Sequence, residues 1–548
     1  MKRSAKPGLV AFIGLFLALS ILPSAGMLAA PTTRAVGNEQ LALWPQLHTA
    51  DGGWNRAYLS EVSDYLADHI AFRHSFATLY ARLCSGVFGT LPGEDVVLGR
   101  EGWLYYAETL PDYQGTARLT RRQCWAAARA LALIQEYCQE QGVDFVFTIA
   151  PNKNSIYPQY MPARYRPAAS PGNASRLADC LRQQGVAYVD LFSVLRQEAG
   201  QTQLYFAWDS HWNNLGAALA ADALADALGR GPEDDRGGYS LQPSHLGDLY
   251  AMAYPAGTEL EPDAVFEKEF TFTYPNGLRS AEDITIRTRN PDAGGSLLLF
   301  RDSFGNALYP FLAQRYGAAC ISRAMPYNLT YLEREQADTL VIELVERNLR
   351  WLVERPTRMP APVRQVDQSW QPGDFAASAV CTEAAGLEGY VEVTGRIRCP
   401  GLDPDSPIYL QGADGLVYEA TPRRGRGGAL HPLSARRCGG RQAGTGRPGR
   451  RRLAGRPPGP HTIARQKGNQ NHAQTQSHRR SPDPGLRPQR LRRSRRHCGL
   501  PGPERRPFGC VRRAFVRSGT GSRERRGFVR SGTGSRERRI FVRSRTGS

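Results

Sequence analysis

A carboxylate and an imidazole two residues apart, Asp209 and His211, stand between Trp208 and Trp212 in the stretch FAWDSHWNNLGA, residues 206–217. On an extended segment, side chains at i and i+2 share a face. The carboxylate can then reach one ring nitrogen and leave the other free. An imidazole held in this way is a general base that needs a nucleophile. The same stretch also fits an edge strand whose aromatics cover a core and whose histidine is merely hydrogen-bonded. The tryptophans fit a shield against water, a sugar-stacking surface or core packing, and core packing is the simpler reading for Trp212.

SLLLFRDSFGNALYPF, residues 296–311, offers the nucleophile. An apolar strand ends at Arg301, Asp302 and Ser303 take the turn, and a helix is predicted from about Phe304. That arrangement exposes the Ser303 hydroxyl at the carboxyl edge of a parallel sheet, where open α/β sheets gather their sites. It also aims the N–H groups of a helix start at any oxyanion beside the serine. Gly305 lets the backbone approach closely. Asp302 fits a helix cap better than a chemical role. Lys153, in IAPNK, reads as a solvated loop lysine that could touch substrate. Asp68, His69 and Arg73 read as a structural ion-pair network.

These residues need a scaffold, and alternation along the chain supplies one. EVSDYLADHIAFRHSFATLYARL (61–83) has helical period, with an apolar face that includes Phe72, Phe76, Leu79 and Tyr80. Residues 95–106 predict two strands around a glycine turn, and 121–142 a strong helix ending at Gly142. VDFVFTIAP (143–151) has the apolar, β-branched make-up of a buried parallel strand. A helix over 174–185, a strand over 186–192, a helix over 214–228, and strands over 296–303 and 338–345 continue the pattern. Strands separated by helices argue for an α/β domain with a mostly parallel sheet. Residues 235–295 predict an insertion with strands at 270–274 and 284–288. GYVEVTGRIRC (389–399) and PIYLQGADGLVYEA (407–420) alternate as half-buried antiparallel strands do, and this pattern stops near Pro422.

The net charge of +19 over 548 residues points to nucleic acid only until the chain is divided. Residues 423–548 hold 35 Lys plus Arg against 4 Asp plus Glu, whereas the preceding part holds 35 against 47. The body is therefore acidic. The tail has a single lysine, Lys467, and repeats FVRSGTGSRERR. Without apolar periodicity it is predicted to be disordered. An arginine-rich binding arm and out-of-frame translation are both consistent with it; arginine nearly excluding lysine favours the second, and no nucleic-acid partner is expected. At the other end, Lys2, Arg3 and Lys6 precede an apolar run to about Ala30, the pattern of a secretory signal or a membrane anchor. Either implies an exported protein. The cysteines are scattered without a CxxC pair, so no metal site is indicated.

WDSHWN, RDSFGN, YLADHIAFRHS, GREGWLYY, IAPNKNSIYPQYMP and DTLVIELVERNL together resemble the DHHW family and the SGNH hydrolase-like domain of AlgX- and AlgJ-type alginate O-acetylation proteins. The resemblance implies a Ser303–His211–Asp209 triad with no cofactor, and a tyrosine near the oxyanion, matched by Tyr309; a packed helix aromatic is the competing reading. Arg301 stands where that turn often has glycine, which implies a crowded oxyanion hole or a contact with an anionic substrate. The expected organisation is a signal or anchor (1–30), a connector (31–60), an SGNH hydrolase-like α/β domain (61–355), a truncated β accessory region (376–422) and the tail (423–548). The implied function is acetyl transfer to, or acetyl-ester cleavage on, an extracytoplasmic or cell-surface polysaccharide, drawing on an acetyl donor. A non-catalytic polysaccharide-binding or assembly factor on the same fold is the alternative.

Overall fold

The computed structural model describes residues 7–29, 31–33, 35, 40–231, 237–366, 376–384, 390–399, 403–412 and 415–423, with short strands at 429–431, 435–436, 514–519, 523–530 and 537–545. The expectation of a disordered tail falls largely outside these residues. Contacts divide the chain into Met1–Arg437 with Gly509–Ser548, and Cys438–Phe508; all described residues belong to the first unit.

Helix α1 (Pro7–Ala29) is long and apolar enough over Pro7–Met27 to cross a membrane, with mean hydropathy 2.2, as a signal or anchor requires. The single helix expected over 61–83 is two, α2 (Tyr58–His69) and α3 (Arg73–Phe88). They part at Phe72, which takes a left-handed φ of 62°. The break lies against the end of α1 and the residues that follow it, remote contacts that periodicity does not register. Ala71 is buried, and its N–H donates to Pro23 O at 3.4 Å, while Thr32 N–H donates to His69 O at 3.1 Å. Asp68 and Arg73 lie 3.7 Å apart across the break.

Strands β1 (Val96–Leu98) and β2 (Leu104–Tyr106) pair antiparallel. Helix α4 (Arg121–Glu140) starts on a capping box between Thr120 and Gln123 and buries a continuous run from Cys124 to Ala128. It leads to β3 (Asp144–Ala150), then α5 (Asn173–Gln184) and β4 (Tyr188–Val189). The strand expected over 186–192 shrinks to two residues because the Asp190 carboxylate accepts the N–H groups of Phe192 and Ser193, capping α6 (Leu191–Glu198). Helix α7 (Asn214–Ala227) follows, capped by Asn213.

The insertion holds an antiparallel pair, β5 (Tyr239–His245) and β6 (Glu261–Phe266). Its expected strand 270–274 makes only an isolated bridge, Thr273 to Arg289. Strand β7 (Thr285–Arg289) instead joins the main sheet. There follow β8 (Ser296–Phe300), α8 (Gly305–Ala313), β9 (Ala318–Ser322) and β10 (Thr339–Val345). The six-stranded sheet has the order β4-β3-β10-β8-β9-β7, parallel except for β7 against β9. Apolar clusters cover both faces, around Leu131 and Phe147 on one and Leu299 and Trp212 on the other. The fold is thus a helix-flanked, mostly parallel α/β sheet.

Beyond it, β11 (Ala376–Glu383) pairs with β12 (Tyr390–Arg398), and β13 (Ile408–Gln411) with β14 (Val417–Arg423), all antiparallel. Val393, Ile397, Ile408, Leu410 and Ala420 form a small core of their own. Buried Glu419 ties this region to α4, accepting from Arg129 Nε at 2.7 Å and Arg364 Nε at 2.8 Å.

Candidate active site

Residues 206–211 are not a strand. They are a loop that Asp209 helps to organise, its Oδ1 accepting the His211 N–H at 2.8 Å. The same oxygen lies 2.7 Å from His211 Nδ1. An Asx-type turn, not strand alternation, therefore brings acid and base together. The other ring nitrogen, His211 Nε2, lies 2.9 Å from Ser303 Oγ. Asp209 is buried, whereas His211 and Ser303 are partly open to solvent.

The second Asp209 oxygen is used as fully as the first. Oδ2 lies 2.9 Å from His245 Nε2 and accepts the Asp248 N–H at 2.8 Å. Burial alone would raise this carboxyl, but the His211 and His245 rings overcome that and hold it well below the usual range. Burial likewise works to lower His211, and Asp209, helped by Asp248, lifts it above its ordinary value. Asp209, His211 and Asp248 bring donor atoms within 4.8 Å of one another, a spacing that could suit a cation. With four hydrogen bonds already on Asp209, its lone pairs are taken, and the set fits an orienting carboxylate better than a metal ligand.

Two buried charges grip the same loop from opposite sides. Lys153, 3 % exposed, donates to the carbonyls of Phe206, Ala207 and Asp209 at 3.0, 2.9 and 2.6 Å. Glu261 accepts the N–H groups of Ala207 and Trp208 at 2.7 and 2.8 Å. Lys153 is therefore neither a solvated loop residue nor open to substrate. Burial draws its ammonium down to about 8 despite Asp209, Asp248 and Glu261 nearby.

At the serine turn, Asp302 Oδ1 accepts the Phe304 N–H at 3.0 Å, an Asx-type turn one residue ahead of α8 and not the expected helix cap, since Phe304 is the N-cap and has no side-chain cap bond. Its Oδ2 also accepts from Val345 N–H at 2.8 Å and Asn348 Nδ2 at 3.2 Å, tying the turn to the end of β10. Arg301 is 1 % exposed, and its guanidinium donates to the carbonyls of Asp302 and Ala281 and to Asn306. It supports the turn from inside and has no face for a substrate anion. Gly305 is required by Arg301: a Cβ there would lie 2.4–2.5 Å from the arginine's Cδ and Cβ. Tyr309 is buried, its hydroxyl 3.0 Å from that of Tyr274, in the manner of a packed helix aromatic. Trp212 is fully buried and donates from Nε1 to Phe304 O at 3.0 Å, while half-buried Trp208 stacks on Tyr250.

Four residues of this arrangement escaped sequence reasoning. His245, Asp248 and Glu261 lie in the insertion, where no spacing links them to Asp209, and Ser210 is hidden beside the more legible pair. Ser210 Oγ bridges, donating to Asp248 Oδ2 at 2.6 Å and lying 3.2 Å from His211 Nδ1.

The family model described as SGNH hydrolase-like domain, acetyltransferase AlgX matches residues 96–280, a segment that includes Asp209 and His211 and ends before Ser303. A curated protein named "Probable alginate O-acetylase AlgJ" from Pseudomonas putida is 32% identical over 139 residues, 25% of this chain and 34% of that protein. Its namesake from Pseudomonas syringae pv. tomato is 26% identical over 233 residues, 42% of this chain and 54% of that protein. The chain thus spans between a third and about half of these relatives. Similar solved structures include the O-acetyltransferase domain of Pseudomonas putida AlgJ, at 21% identity and TM-score 0.32, covering 46% of this chain and 91% of that one. A DHHW family protein from Eubacterium siraeum matches at 15% identity and TM-score 0.34, with the same coverage. Over residues 96–280 the chain is thus similar to the SGNH hydrolase-like domain of AlgX, and parts of it are similar to AlgJ proteins.

Proposed function

We propose that this domain moves acetyl groups on an extracytoplasmic polysaccharide, with Ser303 as nucleophile, His211 as base and Asp209 as the carboxylate that orients it. The observation carrying this is one line of contacts, 2.9 Å from serine to imidazole and 2.7 Å from imidazole to carboxylate. In the first half-reaction Ser303 Oγ attacks the acetyl carbonyl carbon of a donor ester and its proton passes to His211 Nε2. The bond to the leaving oxygen then breaks, and that oxygen takes the proton from His211. In the second, a sugar hydroxyl or water gives a proton to His211 and attacks the acyl carbon, and the departing Ser303 oxygen recovers the proton.

The Phe304 N–H is already engaged by Asp302. The Ser303 N–H at the same turn is the backbone donor we assign to the oxyanion. Tyr309 and Gly305 then act by packing the helix behind the serine. Relatives named as alginate O-acetylases support a polysaccharide acceptor, and helix α1 supports an exported, membrane-proximal setting. The test is hydrolysis of a fluorogenic acetyl ester by the full chain and by Ser303→Ala. We expect the substitution to reduce the rate by roughly 10³-fold or more. Equal rates would reject catalysis and leave the polysaccharide-binding role.

A further inference from the structure

The apolar face of α3 does not point into the protein. Its packed side is made of small residues, Thr78, Ala81 and Cys84, whereas Phe72, Phe76, Leu79, Tyr80, Leu83 and Val87 are between 40 and 65 % exposed. At 100° per residue these six fall within an arc of about 100°, one continuous stripe along the helix. Arg73 and Arg82 flank it on either side. A surface helix of a soluble domain carries the opposite arrangement, with the large side chains inward.

The stripe begins where α1 ends. A Cβ on Gly26 would lie 2.9 Å from Ala71 Cβ and 3.5 Å from the Phe72 ring, and Pro23 O accepts the Ala71 N–H. The exposed apolar surface of α1, from Leu9 to Leu22, therefore runs on into that of α3. Trp44 and Trp54, 56 and 71 % exposed, lie in the connector between the two, and indole rings favour the level of the lipid headgroups.

We propose that α3 lies in the surface of the bilayer that α1 crosses, with its stripe seated at the boundary of headgroups and acyl chains. This rests on reading α1 as a retained anchor. The placement has a consequence for the site. On its other side α3 holds the segment that leads to Glu261: Ala256 N–H donates to Thr78 Oγ1 at 2.8 Å, and Arg82 Nη2 pairs with Glu259 at 2.8 Å. The loop of Asp209 and His211, gripped by Glu261, is thereby fastened to a helix lying on the membrane.

The experiment uses the full chain in synthetic vesicles of phosphatidylcholine and phosphatidylglycerol, with and without bromine-labelled acyl chains that quench nearby indoles. Leu83→Trp reports on the stripe, Leu15→Trp on α1, and Leu241→Trp on an exposed position of β5. With wild-type emission subtracted, the indoles at 83 and 15 should each be quenched about twofold or more and that at 241 left unchanged. Leu79→Trp repeats the stripe measurement should Leu83→Trp fold poorly. Quenching at 15 without quenching at 83 or 79 overturns the proposal and points to a protein partner or a second copy on the stripe. An unquenched indole at 15 overturns the anchor reading, and the proposal with it. Neither result bears on the Ser303→Ala assay in solution, so the two readings fail separately.

Discussion

Replacing Lys153 by methionine separates positioning from stability. The substitution keeps an unbranched stem of similar volume and deletes the ammonium that holds three carbonyls of the Asp209 loop. Burial draws this group from its ordinary 10.5 to about 8, which at neutral pH corresponds to about 3 kcal/mol of unfavourable free energy in the folded state. Its three hydrogen bonds contribute about 1 kcal/mol each. The two effects nearly cancel, so Lys153→Met should leave stability within about 1 kcal/mol of wild type and move the melting temperature by no more than about 4 °C. The rate should not be spared. Without the lysine the carbonyls of Phe206 and Asp209 lose their shared donor and the loop rests on Glu261 and Asp248, and a displacement near 1 Å between base and nucleophile costs on the order of 10²-fold. The assay is acetyl-ester hydrolysis with kcat and KM resolved, alongside thermal melting; kcat should fall and KM stay. The pH dependence of stability supplies an independent check. The folded pKa is depressed, so the unfolded chain binds more protons between pH 8 and 10.5, and wild type should gain stability across that window relative to Lys153→Met. A variant retaining kcat within threefold, or one losing more than about 4 kcal/mol, refutes this account.

Other expectations follow from the same geometry. His211 must be neutral to accept the serine proton, and its pKa is raised by Asp209 and Asp248 against burial; kcat/KM should therefore climb with pH through a value above 6.5. Asp248→Asn removes one of those charges and should move that limb to lower pH, which a pH–rate profile reads directly. Gly305→Ala forces a Cβ against the Arg301 stem and should destabilise by about 1–3 kcal/mol in a denaturant melt. Glu419→Ala leaves the partly buried Arg129 and Arg364 with Glu136 as their one shared carboxylate, and should lower stability by about 1–3 kcal/mol in the same measurement.

Local physics made much of this protein legible before folding. The Asp209–His211 pair and the Ser303 turn depend on spacing and on a strand-to-helix junction, both written within a few residues. Helix α4 follows from period, strands β3 and β10 from β-branched apolar runs, and β8 from a short apolar run ahead of the serine turn. The site's outer ring is different in kind. Lys153, His245, Asp248 and Glu261 reach the loop from β3's end and from the insertion, and no periodic signal records which distant carboxylate will meet which N–H. Arg301, expected to crowd the oxyanion hole or contact an anionic substrate, becomes an internal brace, because Gly305 leaves room for its stem. Periodicity likewise announced an apolar face over 61–83, but not which side it would turn to. The break falls where Ala71 is buried against the end of α1, and the second half turns its large apolar side chains outward. Spacing along the chain thus set which groups could react, and only the close packing of remote segments decided what holds them and which surfaces stay bare.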